Sequence, residues 1–434
     1  MELYVVQEGD TINDIANLYG VPVDRILLDN GYEAEGILLP GQVLVITFPQ
    51  KIYTVQDGDT LQEIANKNDI TVLELLRNNP YLSEREYIYP GETLIISYGE
   101  KIRRITTSGY AREFVDRNNL RKTLPYLTYL SIFGYRVMEG GTIEETDDED
   151  ILLMAKTYGV APILIITTLS TLGQIDVQSA YNILNNEDQM DKLIDNLIVI
   201  LKKKGYYGIN IAYELLSNVS LSAYETFNTK AYTRFKEEGF IFFVTISPSI
   251  IFTATEISFE KIDYTKIAQL SDGVIILTYL WGSYLGPPAP IASVSRTNEF
   301  LDFIESQISP EKIVTGLLLI AYDWELPYII GLSNAKSLSL EAALEQARQY
   351  HVVIQFDEES QTPFYKYNTA PSGIPVNHVV WFINGISINS ILKIIVDRGL
   401  NGSGLWNVMS YVPQLWSIIN TQFEVEKIPL GREM

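Results

Sequence analysis

The chain has 434 residues, no cysteine, two histidines and a formal net charge of −22 at pH 7. The length indicates two or three domains, and the charge argues against nucleic acid and anionic membrane surfaces as partners, because both attract lysine and arginine. The lack of cysteine excludes disulfides, thiolate metal sites and a cysteine nucleophile, so we expect no metal and no other cofactor.

The N-terminal hundred residues contain an internal repeat with a period of about fifty residues. The segments YVVQEGDTINDIANLYGVPVDRILLDN and YTVQDGDTLQEIANKNDITVLELLRNN begin at Tyr4 and Tyr53. Each predicts a strand, two short helices and, after a Pro-Gly turn, a closing strand. Thr11 and Thr60 each precede an acidic residue by three positions, which is the spacing of a capping box. The sequence therefore predicts two small α+β (βααβ) modules at residues 1–48 and 50–98.

Both segments resemble the LysM module in the frame GDT…IA…N…PG. The resemblance implies binding of glycans that contain N-acetylglucosamine, such as peptidoglycan or chitin oligomers. It places the ligand in a groove between the loop before the first helix and the loop after the second. By position, the implied glycan-binding residues are Gly9, Asp10, Thr11 and Asn30 in the first module and Gly58, Asp59, Thr60, Asn79 and Pro80 in the second. The alternative for the two threonines is a capping role alone.

From residue 101 onward, apolar runs alternate with amphipathic helical segments. The candidate strands are RRITTSGY, LTYLSIFGYRV, APILIITTL, GYYGINIAYE, FIFFVTISPS, DGVIILTYLW, KIVTGLLLIAYDW and GSGLWNVM. Nearly continuous apolar strands separated by helices predict a parallel sheet covered by helices. Eight such units predict an α/β fold, a (β/α)₈ TIM barrel over residues 101–434. Residues of about 329–380 predict a small α+β insertion after strand 7, beside the cleft.

The most apolar long stretch, GFIFFVTISPSIIFTATEI, is interrupted by Pro248 and by several serines and threonines. This pattern predicts a core strand followed by a loop, and argues against a membrane span. The chain starts directly with strand-like alternation in MELYVVQEGD, so we expect no secretory signal peptide.

Aromatic and acidic residues collect at the carboxyl ends of the predicted barrel strands, where barrel active sites lie. They are Tyr110, Glu214, Tyr279, Trp281, Tyr322, Asp323, Trp324 and Trp406. Aromatic rings with a few acids suit pyranose sugars, which present apolar faces and polar edges. For the two tryptophans Trp281 and Trp406, packing is an equal alternative to sugar contact. For Asp323, the alternative is capping of a neighbouring loop.

The predicted fourth strand carries the most informative acidic residue. Asn210, Ala212 and Glu214 alternate along the strand, so all three side chains point to the same face. A lone carboxylate among apolar residues is costly to bury without a partner. Glu214 is therefore a candidate catalytic acid, and Asn210 is expected to support it through hydrogen bonds inside the barrel.

The barrel region resembles glycoside hydrolase family 18, in particular the LysM-bearing spore-cortex N-acetylglucosaminidases. Matching segments include GYYGINIAYE, TYLWGSYLGPPAPI, AYDWELPY, HVVWF and GSGLW. The resemblance implies a D-x-x-D-x-D-x-E motif, in which Glu214 takes the place of the general acid and Asn210 that of the second acid. Ala212 takes the place of the aspartate two residues before the acid. The resemblance also implies that Tyr279 contacts the substrate acetamido group and that Trp406 lies under the −1 sugar.

The replacement at Ala212 bears on the chemistry that the resemblance implies. In family 18 the acetamido oxygen of the substrate acts as the nucleophile, and the missing aspartate aligns that group and stabilises the developing charge. Loss of one preorganised electrostatic group typically lowers the rate by roughly 10²–10³. Tyr207, Leu280 and the pair Ile383-Asn384 also depart from residues usual in the family.

Three interpretations follow from the sequence. The first is a peptidoglycan-binding protein of the spore or cell envelope, anchored by its LysM pair, whose hydrolytic activity is weak or lost. The second is an active, retaining, substrate-assisted N-acetylglucosaminidase of the spore cortex with Glu214 as general acid/base. The third is a structural spore component whose barrel has no ligand. The envelope location rests on the resemblance.

Overall fold

The computed structural model describes residues 1–34, 36–85, 87–167, 177–213, 221–252, 257–370 and 373–429. The first module consists of β1 (Glu2–Val5), α1 (Ile12–Tyr19), α2 (Val23–Asn30) and β2 (Val43–Ile46). The second consists of β3 (Lys51–Thr54), α3 (Leu61–Lys67), α4 (Val72–Asn78) and β4 (Thr93–Ser97). In each module the two strands pair antiparallel, so the predicted strand–helix–helix–strand order is confirmed.

Side-chain caps define where the helices of the modules begin. The Thr11 hydroxyl accepts a hydrogen bond from the backbone N–H of Asp14, and Thr60 does the same for Glu63. In the second module the Glu63 carboxylate also accepts from the backbone of Thr60, which completes the predicted capping box. Such caps typically contribute about 1 kcal/mol each, which matters for helices of only two turns.

The remaining chain alternates strands and helices. Its first part contains β5 (Arg103–Arg112), α5 (Arg117–Thr123), β6 (Tyr129–Met138), β7 (Thr142–Glu144), α6 (Glu149–Thr157), β8 (Ala161–Thr167), α7 (Val177–Leu184), α8 (Glu187–Lys204), β9 (Gly208–Tyr213), α9 (Leu221–Glu237), β10 (Ile241–Ile246), β11 (Ile250–Phe252), β12 (Ile257–Phe259), α10 (Thr265–Gln269) and β13 (Gly273–Ile276). Its second part contains α11 (Val294–Ile304), β14 (Ile313–Leu318), β15 (Ala321–Leu326), β16 (Lys336–Leu338), α12 (Leu340–Gln349), β17 (Gln355–Asp357), β18 (Thr362–Thr369), β19 (Val376–Trp381), α13 (Gly385–Arg398), β20 (Gly402–Trp406), α14 (Pro413–Gln422) and β21 (Phe423–Val425).

Within the described ranges, eight parallel strands form a closed barrel. Their order is β5, β6, β8, β9, β10, β13, β14 and β20, and β20 pairs back to β5. Each of the eight predicted strands contributes one strand to this ring, which confirms the (β/α)₈ fold. Two short strands pair with the ends of barrel strands: β7 pairs antiparallel with β6, and β21 pairs parallel with β5.

Helix α8 illustrates how the outer helices pack against the barrel. The face predicted from its apolar spacing is buried in the main core, and it consists of Met190, Leu193, Ile194, Leu197 and Leu201. Burial of one such side chain contributes about 1.5–3 kcal/mol. The helix ends at Gly205 in the left-handed conformation, with three lysines in its last turn where the helix dipole favours positive charge.

The insertion starts earlier than predicted. Its antiparallel five-stranded sheet has the order β16, β15, β19, β18 and β17, so it spans residues 321–381 instead of 329–380. The predicted seventh strand, KIVTGLLLIAYDW, is in fact two strands, β14 and β15. Both are apolar and no glycine or proline separates them at residues 319–320, so hydrophobic periodicity gives no boundary. The prediction that Tyr322, Asp323 and Trp324 end a barrel strand is therefore wrong, because they lie on the first strand of the insertion.

The long apolar stretch after residue 239 forms the buried barrel strand β10 and the short strand β11, and its residues 253–256 lie outside the described part. In the part of the chain that the structure describes, no helix has the length and apolar character needed to cross a bilayer.

Candidate functional site

An aromatic and aliphatic cluster lies inside the barrel towards its carboxyl-terminal mouth. Trp406, the last residue of β20, lies with its ring centroid 5.0 Å from that of Tyr110 and 5.3 Å from that of Phe133. Tyr110 and Phe133 are buried, whereas Trp406 is partly exposed. Phe133, which was not predicted from the sequence, is the last residue of β6 that pairs with β5. Of the three rings, the Trp406 indole is therefore the most accessible to a ligand.

Asn210 connects three barrel strands by hydrogen bonds next to this cluster. Its side chain is 0% exposed, its Nδ2 donates to the Tyr110 hydroxyl at 3.3 Å, and its Oδ1 accepts from Thr245 Oγ1 at 2.9 Å. These bonds connect β9 to β5 and to β10. A buried amide bonded on both sides fixes its partners in one geometry, so Asn210 positions the Tyr110 ring.

Ala212 lies two residues further along β9, on the same face as Asn210. It pairs in register with Thr245, is partly buried, and packs against the mouth cluster. Its methyl group carries no charge and forms no hydrogen bond. Glu214, which the sequence predicts on the same face, lies outside the described residues.

Tyr279 is buried in a second cluster, which shares Leu277 and Trp406 with the first. Its ring lies over Gly316 of β14, because a Cβ at Gly316 would come within 2.8 Å of Tyr279 Cε1. Because Gly316 has no side chain, the Tyr279 ring can occupy the space next to β14.

We expect Gly316→Ala to displace the Tyr279 ring and to lower the free energy of unfolding by about 1–3 kcal/mol, the usual cost of overpacking. Gly404→Ala is the matched control: Gly404 is the register partner of Gly316 on β20, and a Cβ there would meet its nearest atom at 3.7 Å, an ordinary contact. Urea unfolding of both variants measures the difference, and equal effects would show that the ring does not depend on Gly316.

Tyr322 and Trp324, predicted to bind substrate, are buried together between the insertion and the barrel. Their ring centroids lie 5.7 Å apart, and the Trp324 Nε1–H donates to the carbonyl of Gly286 at 3.0 Å. Burial raises the pKa of the Tyr322 hydroxyl. Both residues lie in the same cluster as Tyr279. Tyr322 and Trp324 therefore form a buried layer next to the mouth, whereas the Trp406 ring is partly exposed.

Trp281 does not lie at the mouth. It is 1% exposed, its Nε1–H donates to Thr297 Oγ1 at 3.2 Å, and its ring packs against Phe259 and Phe300 in the main core. The expectation of sugar contact is thus replaced by the packing alternative, because the residue lies beneath helix α11.

Asp323 points to the opposite side of β15 from Tyr322, into the core of the insertion. Its carboxylate accepts hydrogen bonds from Tyr367 at 2.6 Å and from Gln346 at 3.1 Å, and lies 3.1 Å from His378 Nδ1. The His378 ring stacks on Tyr367 with centroids 4.4 Å apart. Burial and the bond to Asp323 raise the pKa of the Tyr367 hydroxyl. Neither predicted role of Asp323, ligand contact or loop capping, fits this buried network.

The two asparagines predicted to bind glycan in the LysM modules are buried and fully engaged. Asn79 donates to the carbonyls of Leu75 and Ile95 at 2.9 and 2.8 Å and accepts from the Ile95 N–H at 2.9 Å. Asn30 makes the corresponding bonds to Ile26 and Val45. Both side chains thus tie the second helix to the closing strand, which makes them structural. Pro80 opens a 3₁₀ turn, Pro80–Glu84.

The acidic residues of the two Gly-Asp-Thr segments also bind within their own modules. Asp10 accepts from the Tyr4 hydroxyl and from the Gln7 N–H, both at 2.7 Å. Asp59 makes the same two contacts in its module and accepts in addition from Lys67 at 2.8 Å. The bond from Lys67 is the main cause that lowers the pKa of Asp59 to about 2.

The glycines of the same segments have open surroundings. Gly9 and Gly58 have φ angles of +88° and +82°, and apart from the glycine and its two chain neighbours no described atom lies within 4 Å of a Cβ placed on either. The turns before α1 and α3 therefore present backbone to the surface, while the acids beside them stabilise the turns.

Comparisons with known proteins agree with this architecture. Residues 112–410 match the sequence model of glycosyl hydrolases family 18, and residues 4–47 and 53–97 match that of the LysM domain. The chain is 33% identical over 434 residues to the cortical fragment-lytic enzyme of Bacillus anthracis, which covers 98% of this chain and 99% of that protein. It is 29% identical over 436 residues to a putative sporulation-specific glycosylase of Bacillus subtilis, covering 99% and 100%.

The same relationship holds in three dimensions. The crystal structure of the Bacillus cereus spore cortex-lytic enzyme SleL matches this chain with a TM-score of 0.78 and 29% identity, over 98% of each chain. That of the enzyme SleL from Bacillus megaterium QM B1551 also gives a TM-score of 0.78, with 27% identity.

Proposed function

The chain belongs to glycosyl hydrolase family 18 and carries two LysM domains, and from this premise we propose that it binds the N-acetylglucosamine glycan of peptidoglycan in the spore or cell envelope, with hydrolytic activity that is weak or lost. The observation that carries the proposal is the partly buried methyl group of Ala212, which lies inside the barrel and packs against the mouth cluster. Aromatic residues of the mouth cluster pack around this position, whereas the aspartate that the family resemblance implies there is missing.

Glycan binding at the mouth is supported by the arrangement of its rings. Trp406 is partly exposed, and Tyr110 and Phe133 hold its indole from two directions. A ring fixed in this way loses little conformational entropy when a sugar stacks on it. Tyr279 lies in a cluster with Trp406, where the family resemblance expects the acetamido group.

Weak hydrolysis follows from the chemistry of the substrate-assisted reaction. The acetamido oxygen attacks the anomeric carbon while the general acid, here Glu214, protonates the oxygen of the leaving sugar. The ring-closed intermediate is positively charged, and in the family an aspartate beside the acid aligns the amide and stabilises this charge. Ala212 provides neither a hydrogen bond nor a charge, so the attacking oxygen is less well aligned and the transition state less stabilised.

An active N-acetylglucosaminidase is the second candidate. It is favoured by the retained Glu214 in the sequence, by the intact support around Asn210, and by the full-length similarity to relatives named as cortical fragment-lytic enzymes. In that case another group at the mouth would perform part of the alignment.

Titration of a soluble peptidoglycan tetrasaccharide into the intact protein tests the binding proposal. We expect saturable binding that Trp406→Ala weakens about tenfold, equivalent to about 1.4 kcal/mol. Trp281→Phe is the control, because this tryptophan lies in the main core away from the mouth, and its affinity should equal that of the wild type. A wild type that does not bind, or equal losses in both variants, would contradict binding at the mouth.

A further inference from the structure

The two LysM modules repeat in sequence but differ in their surroundings. The segments ILLPGQ and YIYPGE occupy corresponding positions before the closing strands β2 and β4. Leu39 of the first segment is 5% exposed and lies in the core of the insertion, whereas its counterpart Tyr89 is 58% exposed. The same position is thus an interdomain contact in one module and a free surface in the other.

The Pro-Gly turn of the first module is held by the insertion. The carbonyl of Pro40 accepts the Ile354 N–H at 3.0 Å, and Arg348 Nε donates to the carbonyl of Ile37 at 3.2 Å. Gly41 lies so close to this surface that a Cβ there would be 1.9 Å from the carbonyl oxygen of Ile354. The insertion therefore covers the turn on the side that faces Ile354.

The first module also contacts the barrel, through helix α14. Gln414 of α14 donates to Asn30 Oδ1 at 3.0 Å and to the carbonyl of Val43 at 2.8 Å. Val45 of β2 is part of the main core of the barrel. Because the first module contacts both the insertion and α14, it connects the insertion to the outer layer of the barrel.

The second module contacts the barrel through its helix α4 and leaves its Pro-Gly turn free. The Tyr126 hydroxyl donates to the carbonyl of Arg77 at 2.6 Å. On the other side of the module, no described atom lies within 4 Å of a Cβ placed on Gly91. Tyr87, 69% exposed, and Tyr89 flank this side. Two aromatic rings are therefore exposed on the second module, and one of them, Tyr89, corresponds to the buried Leu39 of the first module.

The free turn adjoins the loop that opens the second module. The Gly91 N–H donates to the carbonyl of Val55 at 2.9 Å, and the Val55 N–H donates to the carbonyl of Glu92 at 2.8 Å. These bonds place the strand after the turn beside the start of the loop that contains Gly58. The turn that follows Tyr89 is thus paired with the residue that precedes the loop of the open Gly58.

Two ion pairs lie beside the described part of this surface of the second module. Arg85 contacts Glu92 at 2.6 Å, and Lys67 contacts Asp59 at 2.8 Å. Paired charges leave little net attraction for a polyelectrolyte, whereas exposed aromatic rings suit the apolar faces of pyranose sugars.

We propose that the two modules have different tasks: the second holds the glycan strand through Tyr87 and Tyr89, and the first is a strut that fixes the insertion to the barrel. This inference rests on the proposed glycan binding, and it assigns retention on polymeric peptidoglycan to one module. The barrel mouth then receives a part of the same strand.

Sedimentation of the intact protein with insoluble peptidoglycan tests the binding task. We expect the double variant Tyr87→Ala/Tyr89→Ala to bind about 100-fold more weakly, as the loss of two sugar-stacking rings implies. Ile37→Ala, at the first-module position that corresponds to Tyr87, is the matched control and should bind like the wild type. A double variant that sediments like the wild type would overturn the assignment.

A parallel titration of the double variant with the soluble tetrasaccharide separates this inference from the proposed function. Unchanged affinity at the barrel mouth together with lost sedimentation is the expected result. If the wild type binds neither ligand, the proposed function itself fails. If the wild type binds both and the double variant sediments normally, only the division of tasks fails.

A pair of glycine variants tests the strut. Gly41 and Gly91 have φ angles of +85° and +90°, so alanine is strained to a similar extent at both, but only Gly41 has close neighbours. We expect Gly41→Ala to lower the melting temperature of the intact protein by several degrees more than Gly91→Ala. Equal shifts would show that the first module does not support the fold through this contact.

Discussion

Ala212→Asp is expected to raise the rate of hydrolysis of a fluorogenic N-acetylglucosaminide by roughly 10²–10³ over the wild type, the usual effect of one preorganised electrostatic group. The substitution restores a carboxylate at the position from which the family aligns the acetamido group. Support for it is in place, since Asn210 is held by Tyr110 and Thr245. Ala212 is only partly buried, so a carboxylate there retains contact with water and avoids the cost of full desolvation.

Ala212→Asn is the control, because asparagine has nearly the same size and lacks the charge that stabilises the intermediate. We expect it to remain close to the wild-type rate. If Ala212→Asp binds the glycan with unchanged affinity and its rate stays at the wild-type level, the loss of the aspartate does not explain weak activity, and the other departures from the family would have to be responsible.

Asp323→Ala is expected to lower the free energy of unfolding by about 3–5 kcal/mol, because each buried donor that loses its acceptor costs about 1–3 kcal/mol. The substitution leaves Tyr367, Gln346 and His378 without their shared acceptor in the core of the insertion. Unsatisfied buried donors account for most of such a loss. Urea unfolding of the intact protein provides the measurement.

The surface residue Asp397 provides the matched control, because its pair with Lys393 is exposed and Asp397→Ala should cost less than about 1 kcal/mol. Asp323→Asn, which keeps one acceptor oxygen, should lie between the two. A large fall in glycan affinity with unchanged stability would return Asp323 to its predicted role as a ligand contact.

The sequence predicts the barrel well because each of its strands is a short apolar run between helical segments. Hydrophobic periodicity does not mark the boundary at residues 318–321, where β14 and β15 follow each other without a polar or turn residue between them. Apolar content identifies a buried strand but does not assign it to one of two adjoining cores.

The site shows the same limit. Alternation along β9 correctly places Asn210 and Ala212 on one face, and the structure shows that this face points into the barrel. It does not separate Trp406, at the mouth, from Trp281, in the main core, because Trp281 lies in the loop after β13, where strand alternation no longer applies. Likewise, the LysM frame fixes the position of Asn79 but not the direction of its side chain, which the backbone of β4 engages.

The most direct test of the account measures the release of reducing ends from peptidoglycan fragments by the wild type, Ala212→Asp and Glu214→Gln under identical conditions. We predict that the wild type releases product at no more than about one-hundredth of the rate of Ala212→Asp, and that all three proteins bind the fragments with similar affinity. Wild-type turnover that equals that of Ala212→Asp and disappears in Glu214→Gln would identify a working glycosidase and contradict the account.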